Sequence, residues 1–232
     1  MDAKRLPSGK EKKLKRKKVL EKKKTIDEII KKASSVKDHL VFFPPFCHYE
    51  RNGLSVYLES GLGDQLTSPI KKYIQNLLKI NMEAPYGSEW PAEEKVKRRE
   101  MVSPDAHYIF VRKSTNQTPV SESEETNCAG LTGDQNALLE ACAQRKGLGK
   151  FLMQLIELIA HKNRMGAVML TVQKANILAM SFYTSKLSYT ISAISPSQID
   201  PLIGSEKSYE IFCKTFDSEA KEKMEGKPQH GR

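Results

Sequence analysis

A short glycine-containing loop before an amphipathic segment has residue types suited to binding phosphate. The loop consists of Gln144, Arg145, Lys146, Gly147, Leu148 and Gly149. Glycines let a backbone turn sharply and come close to an anion, and a helix N-terminus offers N–H groups without intrahelical partners. Arg145 and Lys146 add positive charge next to these groups. The loop therefore predicts a site for a phosphate-bearing ligand at the start of a helix.

Two common nucleotide-binding loops do not fit these residues. A Walker loop would require Gly at position 144 and Ser or Thr at position 151, where the chain has Gln144 and Phe151. A dinucleotide fingerprint would require Gly at position 152, which is Leu152. A plain turn before a helix remains the alternative at this point.

Composition indicates a soluble globular chain with polar extensions and without a metal site. Hydrophobic residues make up 39% and charged residues 28% of the 232 residues. The chain contains neither an apolar run of membrane-helix length nor the apolar core of a signal peptide. The cysteines are scattered and form no CxxC pair, which favours a reduced compartment in which they serve as small apolar residues: Cys47, Cys128, Cys142 and Cys213.

The positive charge is concentrated at the N-terminus. Residues 1–24 contain 12 Lys/Arg and 3 Asp/Glu, a net charge of +9, whereas the whole chain carries +10. We therefore expect a basic tail over 1–24, a folded domain over 25–216 and a polar tail over 217–232. Lys-rich runs serve in nuclear import or in contacts with nucleic acid or the ribosome, and a solvated, disordered tail is the alternative.

Periodicity predicts alternating strands and helices, which is typical of an α/β or α+β domain. Strands are predicted around Leu54, His107–Val111, Ala167–Val172, Tyr189–Ile194 and Tyr209–Cys213, and helices after Ser68, Pro91, Leu148 and Asn176. A capping box is expected at Thr25 and Glu28. Residues 113–136 show no period and few aliphatic side chains, so a low-complexity loop is expected there.

The glycine loop and its surroundings resemble the GNAT acetyltransferase superfamily. The pattern Gln/Arg-x-x-Gly-x-Gly/Ala at 144–149 is followed by a helix, a hydrophobic strand and Asn176, with Phe182 and Tyr183 behind it. The resemblance implies a GNAT fold, a mixed sheet flanked by helices, and acetyl-coenzyme A bound by the loop and by Asn176. It also offers Tyr183 as a tyrosine that protonates the leaving thiolate, and a core aromatic is the alternative.

Longer matching words resemble the NatD-type N-terminal acetyltransferases, in a plant-like version. These words include Arg51–Val56, Ser88–Trp90, Lys97–Met101, Met169–Val172 and Ser208–Ile211. The resemblance implies acetylation of the α-amino group of histones four and two-A, which begin Ser-Gly-Arg-Gly. It assigns the peptide site to Tyr86, Trp90, Thr171, Ser195 and Tyr209, and implies histone-tail partners and a location in nucleus and cytoplasm.

One segment departs from that pattern. The family has two long central strands before the loop, and the second carries a catalytic Glu. Here Glu140 matches a later position of that word, and Asn136 occupies the catalytic one. We therefore expect a sheet that is incomplete in its centre and a catalytic carboxylate that is unassigned. Two alternatives stay open: a catalytically impaired isoform that only binds histone or ribosome, and a lysine side-chain acetyltransferase.

Overall fold

A computed structural model describes residues 9–113, 127–131, 137–139 and 143–225 of the chain. Contacts between residues divide the chain into two compact units, residues 1–36 and residues 37–232. The boundary expected after residue 24 therefore falls inside a continuous element of the first unit. No helix in the described ranges is long and apolar enough to cross a bilayer.

The first unit contains one long helix, α1, over Gly9–Ser34. Lys, Glu and Leu have high intrinsic helix propensity, which explains why a run for which a disordered tail was one alternative forms a helix. The capping box expected at Thr25 is wrong, because Thr25 lies inside the helix and its hydroxyl donates to the carbonyl of Glu21 at 3.1 Å.

The second unit contains a five-stranded antiparallel sheet with strand order β1-β2-β3-β4-β5. The strands span His48–Arg51, Leu54–Leu62, His107–Lys113, Asn127–Leu131 and Ala137–Leu139. Asn52 and Gly53 form the β1–β2 turn with φ of 52° and 68°, as the Asn-Gly pair predicts. Leu54, Val56 and Leu58 alternate into the core, which confirms the predicted strand.

Strands β4 and β5 correct the expectation of a structureless loop over 113–136 and of two missing strands. β4 pairs with β3, and β5 pairs with β4 in turn. Without β4, the backbone N–H and C=O groups along this edge of β3 would be unpaired. Pairing with them stabilises β4 as a strand, although its own residues have low strand propensity. Asn136 and Glu140, on which the prediction about the catalytic carboxylate depends, lie outside the described residues.

Two helices cover one part of this sheet. α2 spans Ser68–Tyr86 and α3 spans Trp90–Met101. The N-cap of α2 is Thr67 rather than the expected Ser68, and Pro69 still occupies the first turn. Ile74, Leu77 and Leu78 of α2 pack with Tyr108 of β3 in one core cluster.

The remainder of the unit forms a second sheet with order β6-β8-β7, all antiparallel. The elements of this part of the chain, in order, are α4 Leu148–Lys162, β6 Ala167–Gln173, α5 Ile177–Ser181, a π-helical turn Phe182–Lys186, β7 Thr190–Ile191, α6 Pro196–Ile199, α7 Pro201–Glu206 and β8 Tyr209–Thr215. The predicted strand over 189–194 is shortened to two residues.

The expected polar tail over 217–232 begins with a short helix, α8, over Ser218–Met224. Asp217 caps it, since its side chain accepts from the backbone N–H of Ala220 at 2.8 Å. Lys223 pairs with Glu219 one turn earlier at 2.8 Å. A good N-cap and an i,i+4 ion pair thus order residues that composition alone marks as a loose tail.

Candidate functional site

The glycine loop adopts the conformation that an anion site requires. Arg145 and Gly147 have positive φ, 58° and 89°, and Gly147 is the N-cap of α4. No side chain caps the helix in the described structure. The first N–H groups of α4 are therefore available to a ligand at the positive end of the helix dipole.

Two residues of the β1–β2 hairpin fix this loop, and sequence reasoning missed both. The Tyr49 hydroxyl donates to the carbonyl oxygen of Lys146 at 2.5 Å, and Asn52 Nδ2 donates to the same oxygen at 3.1 Å. A Cβ atom at Gly147 would stand 2.7 Å from the Tyr49 hydroxyl oxygen. Glycine is thus needed at position 147 for its φ and for the space beside Tyr49.

The other loop residues divide into exposed and buried ones. Gln144 and Arg145 are exposed, and Lys146 and Gly149 are half-buried. Leu148 is fully buried in the core with Leu152 and Leu155. Its side chain therefore anchors α4, and only its backbone can meet a ligand.

A cleft of about 660 Å³ lies between α2 and α3 on one side and β6, β8 and α5 on the other. Five of the residues assigned to a site from the sequence line it: Tyr86, Thr171, Asn176, Tyr183 and Tyr209. The fold thus brings together residues that are distant in the chain. The loop 144–149 is not among the described residues that line this cleft.

Trp90 and Ser195, also assigned to the peptide site, do not line the cleft. Trp90 is 3% exposed and packs in the core beneath Tyr86, with ring centroids 6.0 Å apart. Ser195 is fully buried, and its hydroxyl donates to Glu210 at 2.6 Å. Both residues therefore support the wall of the cleft from behind, because their side chains are used in packing and internal hydrogen bonding.

Glu210 is a buried carboxylate that sequence reasoning did not single out. Its Oε2 accepts hydrogen bonds from Ser195 and Ser197, both at 2.6 Å, and its Oε1 lies 3.3 Å from Lys174 Nζ. Burial raises the pKa of Glu210, but the hydrogen bonds from these three partners outweigh it and hold the pKa below its ordinary value. The sequence signal that could have revealed Glu210 is a charged residue at a position of the strand Tyr209–Thr215 whose side chain faces the interior. The ionised carboxylate ties α6 to β8.

Tyr183 is a titratable residue of the cleft whose pKa is shifted from its ordinary value. Its ring is 8% exposed and stands edge-on to Phe182 and Tyr189, at centroid distances of 5.2 and 5.8 Å. Burial raises the pKa of Tyr183 to about 12. The hydroxyl is protonated at neutral pH, as an ordinary tyrosine is, and burial makes it a weaker acid, so toward a base in the cleft it can serve as a hydrogen-bond or proton donor.

Asn176 lies where β6 leads into α5. Its Oδ1 accepts from the backbone N–H of Ala179 at 3.1 Å and so caps the helix. With the oxygen engaged, its amide N–H groups are the donors that it can offer to a ligand in the cleft.

The mouth of the cleft carries charges of both signs. Glu89, Glu93 and Glu206 supply carboxylates, and Lys97 and Lys207 supply ammonium groups. Lys97 is paired with Glu100 at 2.9 Å, outside the cleft lining. Among the described residues, no group of three His, Cys, Asp or Glu side chains could hold a metal ion.

Comparison with known proteins agrees with this geometry. Residues 137–189 match the model of the acetyltransferase (GNAT) family. The matched range, 53 of the 232 residues, includes the glycine loop, α4, β6, Asn176 and Tyr183. The fold is mixed α/β, with antiparallel sheets flanked by helices.

The solved structures that resemble this chain include three acetyltransferases, at low identity. PaiA N-acetyltransferase from Thermoplasma acidophilum, in complex with coenzyme A, is 15% identical and has a TM-score of 0.44, over 69% of this chain and 99% of that chain. A GNAT-family acetyltransferase from Listeria monocytogenes is 10% identical with a TM-score of 0.41, over 73% and 99%. Campylobacter jejuni N-acetyltransferase PseH is 15% identical with a TM-score of 0.39, over 69% and 99%.

Proposed function

We propose that this protein transfers the acetyl group of acetyl-coenzyme A to the N-terminal α-amino group of histones four and two-A, which begin Ser-Gly-Arg-Gly. The observation that carries the proposal is the position of Tyr183, a protonated tyrosine of the GNAT-matched range, on the lining of the cleft. The assignment of histone tails as the substrate rests on the matching sequence words and on the charges at the cleft mouth.

The residues of the glycine loop fit coenzyme A. Its pyrophosphate would meet the N-terminus of α4, where Gly147 lacks the Cβ that would crowd Tyr49 and where no side-chain cap occupies the N–H groups. Arg145 and Lys146 add charge, and Asn176 offers amide donors. When bound, acetyl-coenzyme A supplies an acetyl group activated as a thioester.

Acetyl transfer requires two proton movements, because the amine must lose a proton and the departing thiolate must gain one. An α-amino group has a pKa near 7.7–8.0, so a large share is already neutral at cellular pH. A neutral amine still gives up one proton as the C–N bond forms and the C–S bond breaks, and that proton passes to water. Tyr183 can donate a proton to the departing thiolate and regains one from solvent. The demand on the protein is therefore mainly to position the amine and to supply this donor.

The cleft between the helices α2 and α3 and the strands β6 and β8 suits a basic peptide. Tyr86, Thr171 and Tyr209 supply hydroxyl groups to the cleft, and the Glu89 and Glu93 carboxylates lie on the same cleft. Carboxylates bind guanidinium groups with good geometry, so Glu89 and Glu93 are suited to the arginine at the third position of Ser-Gly-Arg-Gly. The Ser208 hydroxyl orients Glu89 by donating to its Oε2 at 3.1 Å.

Steady-state acetyl transfer to two matched peptides tests this proposal. Ser-Gly-Arg-Gly and Ser-Gly-Glu-Gly differ only in the charge of the third side chain. We expect kcat/KM for the arginine peptide to be higher by about tenfold or more, as for the loss of one charge-assisted contact. Equal kcat/KM for the two peptides would contradict the assignment to histone-like N-termini.

A second candidate function, supported by α1, is binding of histone-carrying or ribosomal complexes without turnover. Helix α1 contains 12 Lys/Arg and 4 Asp/Glu, a net charge of +8. In the Lys-rich part of α1, Leu14, Val19 and Leu20 are more than half exposed and lie on different sides of the helix, whereas Ile26, Ile29 and Ile30 share one face farther along it. The Lys-rich part is thus a basic surface without an apolar stripe of its own. Such a surface suits a nucleic-acid backbone.

We further propose residence in nucleus and cytoplasm, because Lys-rich segments also serve in nuclear import.

These two candidates differ in one measurable property. The catalytic proposal requires acetylated Ser-Gly-Arg-Gly peptide to accumulate with time in proportion to enzyme concentration. Binding of the peptide or of ribosomal RNA without any acetylated product would leave only the second candidate.

A further inference from the structure

Gln173 is a cleft residue to which neither the sequence nor the proposed chemistry assigns a role. It is the last residue of β6 and pairs in register with Tyr209 of β8. Val168, Leu170 and Val172 of the same strand pack in the core, so Thr171 and Gln173 share the opposite face. Thr171, Gln173 and Tyr209 all line the cleft.

The side chain of Gln173 is buried without a partner. Gln173 as a whole is 8% exposed. Its side-chain oxygen Oε1 is fully buried and has no hydrogen bond to any described residue. Buried amide oxygens in folded proteins almost always accept a hydrogen bond, since leaving one unpaired costs stability. An unpaired acceptor on the lining of a binding cleft indicates that its donor comes from a ligand.

We propose that Gln173 Oε1 accepts a hydrogen bond from an N–H group of the amine substrate and so helps position the peptide start. This inference rests on the proposed function. The neighbours of Gln173 on its face, Thr171 and Tyr209, belong to the peptide wall opposite α2 and α3. A neutral carbonyl oxygen suits this task, because it binds an amine without stabilising its charged form as strongly as a carboxylate would.

The substitution Gln173→Met separates a binding role from a packing defect. Methionine has a similar length and flexibility but lacks both polar atoms. The protein should then gain thermal stability, because the unpaired acceptor is gone, while the Kd and KM for Ser-Gly-Arg-Gly rise about tenfold, as for one lost hydrogen bond. The Kd for coenzyme A should stay within about twofold of the wild-type value.

Gln154→Met provides the matched control, since Gln154 is exposed on α4. We expect it to leave the melting temperature and both dissociation constants unchanged. A Gln173→Met protein with higher stability and an unchanged peptide Kd would overturn the inference, as would one that loses affinity for coenzyme A instead of the peptide. A lower melting temperature with unchanged peptide binding would show a purely structural role and would also overturn it.

Direct binding by calorimetry keeps this inference distinct from the proposed function. If the wild-type protein binds Ser-Gly-Arg-Gly without acetylating it, the proposed catalysis fails, and the comparison of peptide Kd values still decides the role of Gln173. If the wild-type protein does not bind the peptide, both are overturned.

Discussion

Gly147→Ala should weaken both the fold and coenzyme A binding, by an amount that the structure allows us to divide into two causes. A non-glycine residue in the left-handed region costs roughly 1–2 kcal/mol, and Gly147 has a φ of 89°. The new Cβ would also stand 2.7 Å from the Tyr49 hydroxyl oxygen. Displacing that hydroxyl forfeits its hydrogen bond to Lys146, worth about 0.5–1.5 kcal/mol. The total is therefore about 1.5–3.5 kcal/mol.

Gly53→Ala is the matched control for the backbone part of this effect. Gly53 also has positive φ, 68°, but no described atom lies within 4 Å of a Cβ placed there. Gly53→Ala should therefore lower the free energy of unfolding by only about 1–2 kcal/mol. Urea unfolding of both variants measures the difference, and calorimetry with coenzyme A should show weaker binding for Gly147→Ala alone.

A double-mutant cycle with Tyr49→Phe tests the clash directly. Phenylalanine removes the hydroxyl that the new Cβ would strike, so the double variant should be more stable than the two single costs predict, by about 1 kcal/mol. Additivity within about 0.3–0.5 kcal/mol would refute the reasoning. Equal destabilisation by Gly147→Ala and Gly53→Ala would refute it as well.

Three further predictions concern the acid, the buried carboxylate and the basic helix. Tyr183→Phe should lower kcat by about 10²–10⁴-fold with the peptide KM nearly unchanged, since only the acid is lost; a kcat within about twofold of wild type would exclude this role. Because the folded pKa of Glu210 lies below its ordinary value, its stabilising contribution is present above pH about 4.3 and is lost as the pH falls through the folded pKa. Glu210→Gln should flatten this acid limb in urea unfolding measured against pH, and an unchanged limb would contradict the assignment. RNA binding through α1 should weaken steeply and linearly in a plot of log affinity against log salt, and salt-independent binding in a filter assay would exclude a phosphate contact.

The sequence predicted the elements that have strong local signals. The Asn-Gly turn, the alternating strand after Gly53 and the amphipathic α4 follow from residues close together in the chain. The short strand Asn127–Leu131 did not follow, because its partner is the edge of β3 and its own residues have little strand propensity. The part of helix α1 before residue 25 was likewise expected as a basic tail, since high charge resembles disorder unless helix propensity is weighed against it.

The sequence assigned residues to a site without showing how they are arranged. Five of the assigned residues line one cleft, but Trp90 and Ser195 lie behind it, because a resemblance in sequence carries no information on which way a side chain faces. Tyr49 supports the glycine loop from a position 97 residues away in the chain. Only a tertiary structure could reveal that contact.

Mapping the acetyl group on the product of one reaction tests the central claim most directly. The wild-type protein, acetyl-coenzyme A and the peptide Ser-Gly-Arg-Gly-Lys are incubated, and the product is fragmented by mass spectrometry. We predict one added acetyl group on the α-nitrogen of the first serine. An acetyl group on the lysine side chain, or no product above the enzyme-free control, would contradict the account.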